Sequence, residues 1–173
     1  LFRKHKPCAV FTFDPFGLYE GNQDHTRVAL AVEEAFWVAC FDKHYPEHFT
    51  EGLEPFSVCE RWYFARQLAE INHYEDVTET MDKKIMALCA HREMMKNTIN
   101  QTRLQLKTYG KRVAMLDEAM DGDMSQLLGM VMQNDGKAMA EKAGWEQGRF
   151  AEVFRKSRFG DMEELFEMLA EDL

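Results

Sequence analysis

CAVFTFDPFGLYEGNQDHTRVALAVEEAFWVAC, residues 8 to 40, decides how the chain is read. Its first six residues are a continuous apolar and β-branched run ending at Asp14-Pro15, the pattern of a strand buried on both faces of a parallel sheet. A loop rich in glycine and aromatics follows, FGLYEGNQ. From Asp24 onward Val28, Ala31, Val32, Ala35, Phe36 and Ala39 recur at the spacing of one helix face, with Asn22 or Asp24 placed to cap its start. Strand, loop and helix in that order put an Asp24-His25 pair at the foot of the helix. In open α/β sheets the crevice beyond the carboxyl end of a strand is where ligands bind. A neutral imidazole there can ligate zinc while the neighbouring carboxylate orients it or a catalytic group. A helix cap beside a surface histidine is the competing reading of the same two residues.

Outward from this unit, HYPEHFTEGLEP is a connector broken by Pro46, Gly52 and Pro55, and SVCERWYFA, residues 57 to 65, gives a second strand of partly alternating pattern. NHYEDVTE then leads into a helix at about Thr80, with Thr78 as its cap and Met81, Ile85, Leu88 and Cys89 along one side. From Ala90 onward the sequence is helix-compatible throughout. The segments AHREMMKNTINQTRLQL, KRVAMLDEAM, DMSQLLGMVMQ, GKAMAEKAGW and FAEVFRKS are separated by Gly110, Gly122, Gly136, Gly148 and Gly160. The closing DMEELFEMLAEDL opens with the capping-box pair Asp161 and Glu164, and its spacing buries Met162, Leu165, Phe166 and Leu169. All twelve methionines lie at or after Met81, from the helix near Thr80 onward. They are read as core filler in preference to a partner-binding groove.

Two local matches to metal motifs lose to simpler readings. HYPEH, residues 44 to 48, fits a zinc-peptidase pattern, but Pro46 between the histidines disfavours the helix that pattern needs. HYED, residues 73 to 76, is more simply a lead-in to the next helix.

The 173 residues suit one domain, and 46% hydrophobic content supplies a core for a single compact body. With 30 acidic and 21 basic side chains the net charge is −9, which repels nucleic acid and anionic membrane surfaces. No run of about 18 apolar residues exists, and the start lacks signal-peptide order. A soluble, cytoplasmic protein is the expectation. Cys8, Cys40, Cys59 and Cys89 contain no C-x-x-C spacing and are expected to be buried, reduced thiols. The chain opens at Leu1 and its first methionine is Met81, so a further portion upstream is expected.

HKPCAVFTFDPFGLYEGNQDHTRVALAVEEAFWVAC, YPEHFTEGLEPFSVCERWYFA and INHYEDVTETMDKKIMALCAHR, taken in order, resemble the second half of the LmbE/PIG-L family of zinc-dependent N-acetyl deacetylases. In that family a loop bearing H-P-D-H follows a strand, a G-L-E-P-like segment leads to a second strand, and a D-I-T-like stretch opens the next helix. The similarity covers about residues 5 to 95, and the closing GRFAEVFRKSRFGDMEELF is similar to the tails of some members. The resemblance implies an α/β, Rossmann-like deacetylase fold, of which residues 1–100 are the C-terminal portion and residues 101–173 a helical extension packed on the same domain. It implies Zn2+ as cofactor, His25 as a metal ligand, and Asp24 and Asn22 as catalytic residues. Asn22 stands where the family often has a histidine, and its amide can donate to an oxyanion but cannot deliver a proton at neutral pH. Tyr19, Glu20 or a water are the candidates for that acid step.

The A-H-P-D-D-like motif that gives the family its other zinc ligands and its general base has no counterpart in this sequence. The implied function is hydrolysis of an N-acetyl group on an amino sugar or its conjugate, completed by an N-terminal half of the domain from elsewhere, in a homo-oligomer. The alternative is a non-catalytic, deacetylase-like structural or assembly subunit.

Overall fold

The computed structural model describes residues 1–158 and 162–172. Strand β1 (Ala9–Phe13) lies parallel to β2 (Glu60–Phe64), with Ala9 beside Glu60 and Phe13 beside Phe64. Parallel neighbours need a long crossover, and here it contains helix α2 (Gln23–Ala39) and the short α3 (Glu47–Thr50). Both strands and the long helix were legible from apolar periodicity. β1 is nevertheless not buried on both faces. Its inner face meets α2, where Phe36, Val58 and Tyr63 are buried with Phe2, Val10 and Val32 packed around them. On the opposite face Phe11 stacks on Trp62 at 5.2 Å, Phe154 and His73 complete an aromatic row, and Phe11 remains 57% exposed.

A third strand stands where a helix was expected. FAEVFRKS folds largely as β4 (Ala151–Ser157), antiparallel to β2 with Tyr63 opposite Arg155 and Arg61 opposite Ser157. Its residues alternate between two faces: Arg155 reaches Asp14 on one, and Phe154 and Lys156 meet Trp62 on the other. Tertiary partners override the weak helical preference of the charged residues. NHYEDVTE likewise contains a short strand, β3 (His73–Asp76), and the sheet order is β1-β2-β4-β3. Thr78 is not a helix cap. Its amide and hydroxyl both donate to Asp76, and its oxygen accepts from the Phe150 N–H at 3.0 Å. The residue before helix α4 (Met81–Ala90) is Thr80, which makes no side-chain cap bond.

Helix α1 (Phe2–His5) carries Arg3, only 4% exposed, whose guanidinium donates to the carbonyls of Val38, Ala39, Phe41 and His44 at 2.5–3.1 Å. The last carbonyls of a helix lack partners of their own, so Arg3 completes the end of α2. His48 of the HYPEH match also contacts Arg3, at 3.1 Å, and α3 begins only after Pro46, leaving His44 outside it. The peptidase geometry does not form.

The described chain divides into two compact units, residues 1–73 with 153–173 and residues 74–152. The second unit contains α4, α5 (Arg92–Thr108), α6 (Ala114–Asp121) and α7 (Ser125–Lys142), around a core that includes Met95, Ile99, Leu116, Met124 and Leu128. Met81, Met95 and Met124 are buried as core filler, whereas Met86, Met94, Met130, Met162 and Met168 are exposed, so the filler reading holds for only part of the set. Gly136 is not a boundary. It lies within α7, where an added Cβ would meet Met81 Cε at 2.9 Å and Phe150 Cβ at 3.1 Å. The final helix, α8 (Glu163–Leu169), was expected to bury Met162, Leu165, Phe166 and Leu169; each is at least 39% exposed. Asp161 of the expected capping box lies outside the described residues. The cysteines are free, but Cys8, Cys40 and Cys59 are exposed and Cys89 is only half-buried. No helix among the described residues is long and apolar enough to cross a membrane.

Candidate functional site

The loop after β1 is fixed at its root. The Asp14 N–H continues the parallel ladder to the Phe64 carbonyl at 2.8 Å, and its carboxylate accepts from the Phe16 N–H at 2.8 Å. Arg155 of β4 grips the same carboxylate through Nε at 2.7 Å and Nη2 at 3.2 Å, and the Asp14 side chain is 1% exposed. The guanidinium also lies 3.9 Å from the Tyr63 ring centroid, and Tyr63 donates its hydroxyl to Glu33 at 2.6 Å. Burial, that hydrogen bond and the Glu33 charge push the Tyr63 phenol well above its ordinary pKa, which keeps it a donor. Further along, a Cβ on Gly17 would sit 2.7 Å from Ala65 Cβ, and Leu18 bridges to Gln67. The loop is seated against the exit of β2 before it reaches the residues of interest.

Tyr19, with φ of 58°, turns the chain, and Glu20 then organises the foot of α2. One Glu20 oxygen accepts from the Asn22 N–H at 2.8 Å; the other is 2.9 Å from His25 Nδ1. Arg66 Nε stands 3.6 Å from the first oxygen, and the Glu20 side chain is 12% exposed. The hydrogen bond with His25 is the largest cause holding Glu20 below the usual glutamate pKa; burial opposes it, and the Asn22 amide and the charges of His25 and Arg66 add to it. An ionised carboxylate only accepts, so the shared proton sits on Nδ1. That bond fixes the ring, and Phe13 stacks flat on it at 3.9 Å and 11°. Nε2 has no hydrogen-bond partner among the described residues.

Asn22 caps α2, its Oδ1 accepting from the Asp24 N–H at 3.0 Å. With the oxygen so engaged, the Asn22 amide has its N–H donors left to offer. Asp24 is exposed in the first helical turn, where a negative charge suits the helix dipole. The three sequence-chosen residues therefore share one helix start. Glu20 had been one of several candidates for the acid step. Its place as the partner of His25 was not foreseen, because acidic residues five positions from a histidine carry no recognisable spacing. Asp14, Arg66 and Arg155 were missed as well.

A catalytic zinc usually takes three protein ligands and keeps an open position. Among the described residues no three His, Cys, Asp or Glu side chains converge as metal donors. The donor chemistry fits one corner of such a site: a ring with its Nδ1 proton held by a carboxylate and its Nε2 lone pair available, the arrangement common to zinc-ligating histidines.

No family model matches this chain, and none of the curated proteins does. Among solved structures, the N,N'-diacetylchitobiose deacetylase from Pyrococcus horikoshii, in complex with its inhibitor MPG, superposes with a TM-score of 0.62 at 21% identity. The chain shares its fold with about half of that structure. The match takes in 98% of this chain and 51% of that one, so the chain spans about half the length of the structure it resembles. At that identity the likeness concerns the fold: a mixed α/β body with a sheet and several helices.

Proposed function

We propose that this chain is the C-terminal portion of an LmbE/PIG-L-type, Rossmann-like deacetylase body, and that it contributes His25 as one ligand of a catalytic zinc. The Glu20–His25–Phe13 arrangement carries this reading, because a carboxylate and a stacked ring hold the imidazole with Nε2 available. The remaining donors and the general base would come from an N-terminal half of the domain, as further chain or as a separate polypeptide. A homo-oligomer belongs to the same proposal.

When bound, zinc supplies a water nucleophile near neutral pH and polarises the acyl oxygen. The residues of this chain act around it. Glu20 keeps the proton on His25 Nδ1 and so presents Nε2 as the donor. The Asn22 amide donates to the oxyanion that develops as the N-acetyl group is attacked. Asp24 orients the site from the first turn of α2. The substrate class is an N-acetylated amino sugar or its conjugate, and the aromatic rings of Phe13, Phe16 and Tyr19 are available to line its binding surface.

The test is metal content and acetate release by the intact purified protein, measured on wild type and His25→Ala. The expected result is stoichiometric zinc and acetate release in wild type, both lost together in His25→Ala. Zinc occupancy that the substitution leaves unchanged would refute the assignment. A wild-type particle without zinc would instead support the scaffold reading, in which the exposed aromatic row on the sheet serves assembly.

A further inference from the structure

Cys8 and Cys59 immediately precede β1 and β2, and the ladder sets them side by side. Ala9 is opposite Glu60, and the Glu60 N–H donates to the Cys8 carbonyl at 2.9 Å. Carrying the register back one residue brings Cys8 against Cys59. Neighbouring strands lie about 4.8 Å apart, within the Cα separation of roughly 4.4–6.8 Å that a disulfide spans. Both residues sit at bends just outside the regular ladder, and both are exposed. The pairing is felt electrostatically: the charge of Cys59 and a side-chain hydrogen bond with it push the Cys8 thiol above its ordinary pKa, with burial and Glu60 adding to the effect. Neither cysteine has a part in the metal reading, and they stand at the other end of β1 and β2 from the His25 loop.

The geometry points to a dithiol–disulfide site, in which Cys8 and Cys59 are joined reversibly by a peroxide or by a small disulfide such as oxidised glutathione. Two adjacent thiolates repel, so one sulfur ionises first, and the raised pKa of Cys8 leaves it as the protonated partner. With hydrogen peroxide the Cys59 thiolate attacks one oxygen, the S–O bond forms as O–O breaks, and the departing hydroxide takes a proton to leave as water. Cys8 then gives up its proton and attacks the sulfenic sulfur. The S–S bond forms, S–O breaks, and a second water leaves. Two thiols have lost two electrons and two protons in total, and the peroxide has been reduced to water.

The cross-link closes the segment between residues 8 and 59, restricting the unfolded chain. It is therefore expected to raise the thermal midpoint by several degrees. The experiment treats the purified protein with stoichiometric hydrogen peroxide, or with oxidised glutathione, and maps it by mass spectrometry without reduction. The expected product is lighter by two hydrogens, yields one peptide pair linked through Cys8 and Cys59, and reverts with dithiothreitol. A Cys40→Ser/Cys89→Ser variant should still form the link. Cys8→Ser should stop at a Cys59 sulfenic acid that dimedone traps. Separate over-oxidation of the two cysteines, or a link that requires Cys40 or Cys89, would overturn the proposal. Because wild type is mapped directly, the result does not depend on any variant folding.

Discussion

At the scale of single residues, Glu20 decides what His25 can do. A carboxylate behind a ligating histidine fixes its tautomer and raises its basicity, and losing such a partner typically costs roughly 10–100-fold in metal affinity. Glu20→Gln is thus expected to weaken zinc binding by about that factor while leaving the ring stacked on Phe13, as competition with a chromophoric chelator would measure. The same contact has a pH signature. Because folding lowers the Glu20 pKa, its stabilisation is fully present above the unfolded glutamate value and is lost as pH falls through the depressed one. The acid limb of the stability profile should therefore flatten in Glu20→Gln, and the carboxyl carbon of Glu20, followed by NMR, should titrate below an ordinary glutamate. A carboxyl that titrates normally would remove the contact as an explanation. His25, Asp24 and Asn22 could be chosen from the sequence because they stand at the junction of two periodicities. The pairing of Glu20 with His25 could not, since it depends on the turn at Tyr19 folding the carboxylate back onto the ring.

At the scale of elements, β4 is attached to the site loop through one buried pair. Removing a single partner from such a pair leaves an uncompensated charge and costs about 3–5 kcal/mol. Arg155→Met is expected to destabilise the fold by roughly 3 kcal/mol, toward the lower end because the arginine keeps some exposure. Adding Asp14→Asn should recover part of that loss in urea unfolding. An additive double variant would mean that the two side chains do not act as a pair. Gly136 sets a separate limit in the second unit, between α7 and Met81 of α4. Gly136→Val is expected to cost about 1–3 kcal/mol through overpacking, readable as a lower midpoint with an unchanged urea slope. The strands β1 and β2 and the helices α2, α4 and α5 were legible because apolar residues recur at the spacing of one element. β4 was not: Arg155 and Lys156 make sense only beside Asp14 and Trp62, residues distant in the chain. Gly136 misled for a related reason, since the same residue marks a boundary in sequence and a close approach in space.

At the scale of the whole molecule, the sheet-and-helix body was legible and the completeness of the site was not. A net charge of −9 says that a polyanion would meet long-range repulsion, and it says nothing of where a cation binds. Among the described residues one imidazole is prepared and no set of three metal donors converges around it. Stoichiometric zinc in the intact particle separates hydrolase from scaffold more sharply than any variant, because it measures the assembled donor set directly.

The grip of Arg155 on Asp14 also orders events in time. The two residues are 141 positions apart, and contacts so distant form late because a long loop must close first. During synthesis His25 and Glu20 leave the ribosome early, yet the strap that seats their loop is made only after the helices of the second unit have emerged. A nascent chain halted before β4 would hold every residue of the candidate site and still lack the site.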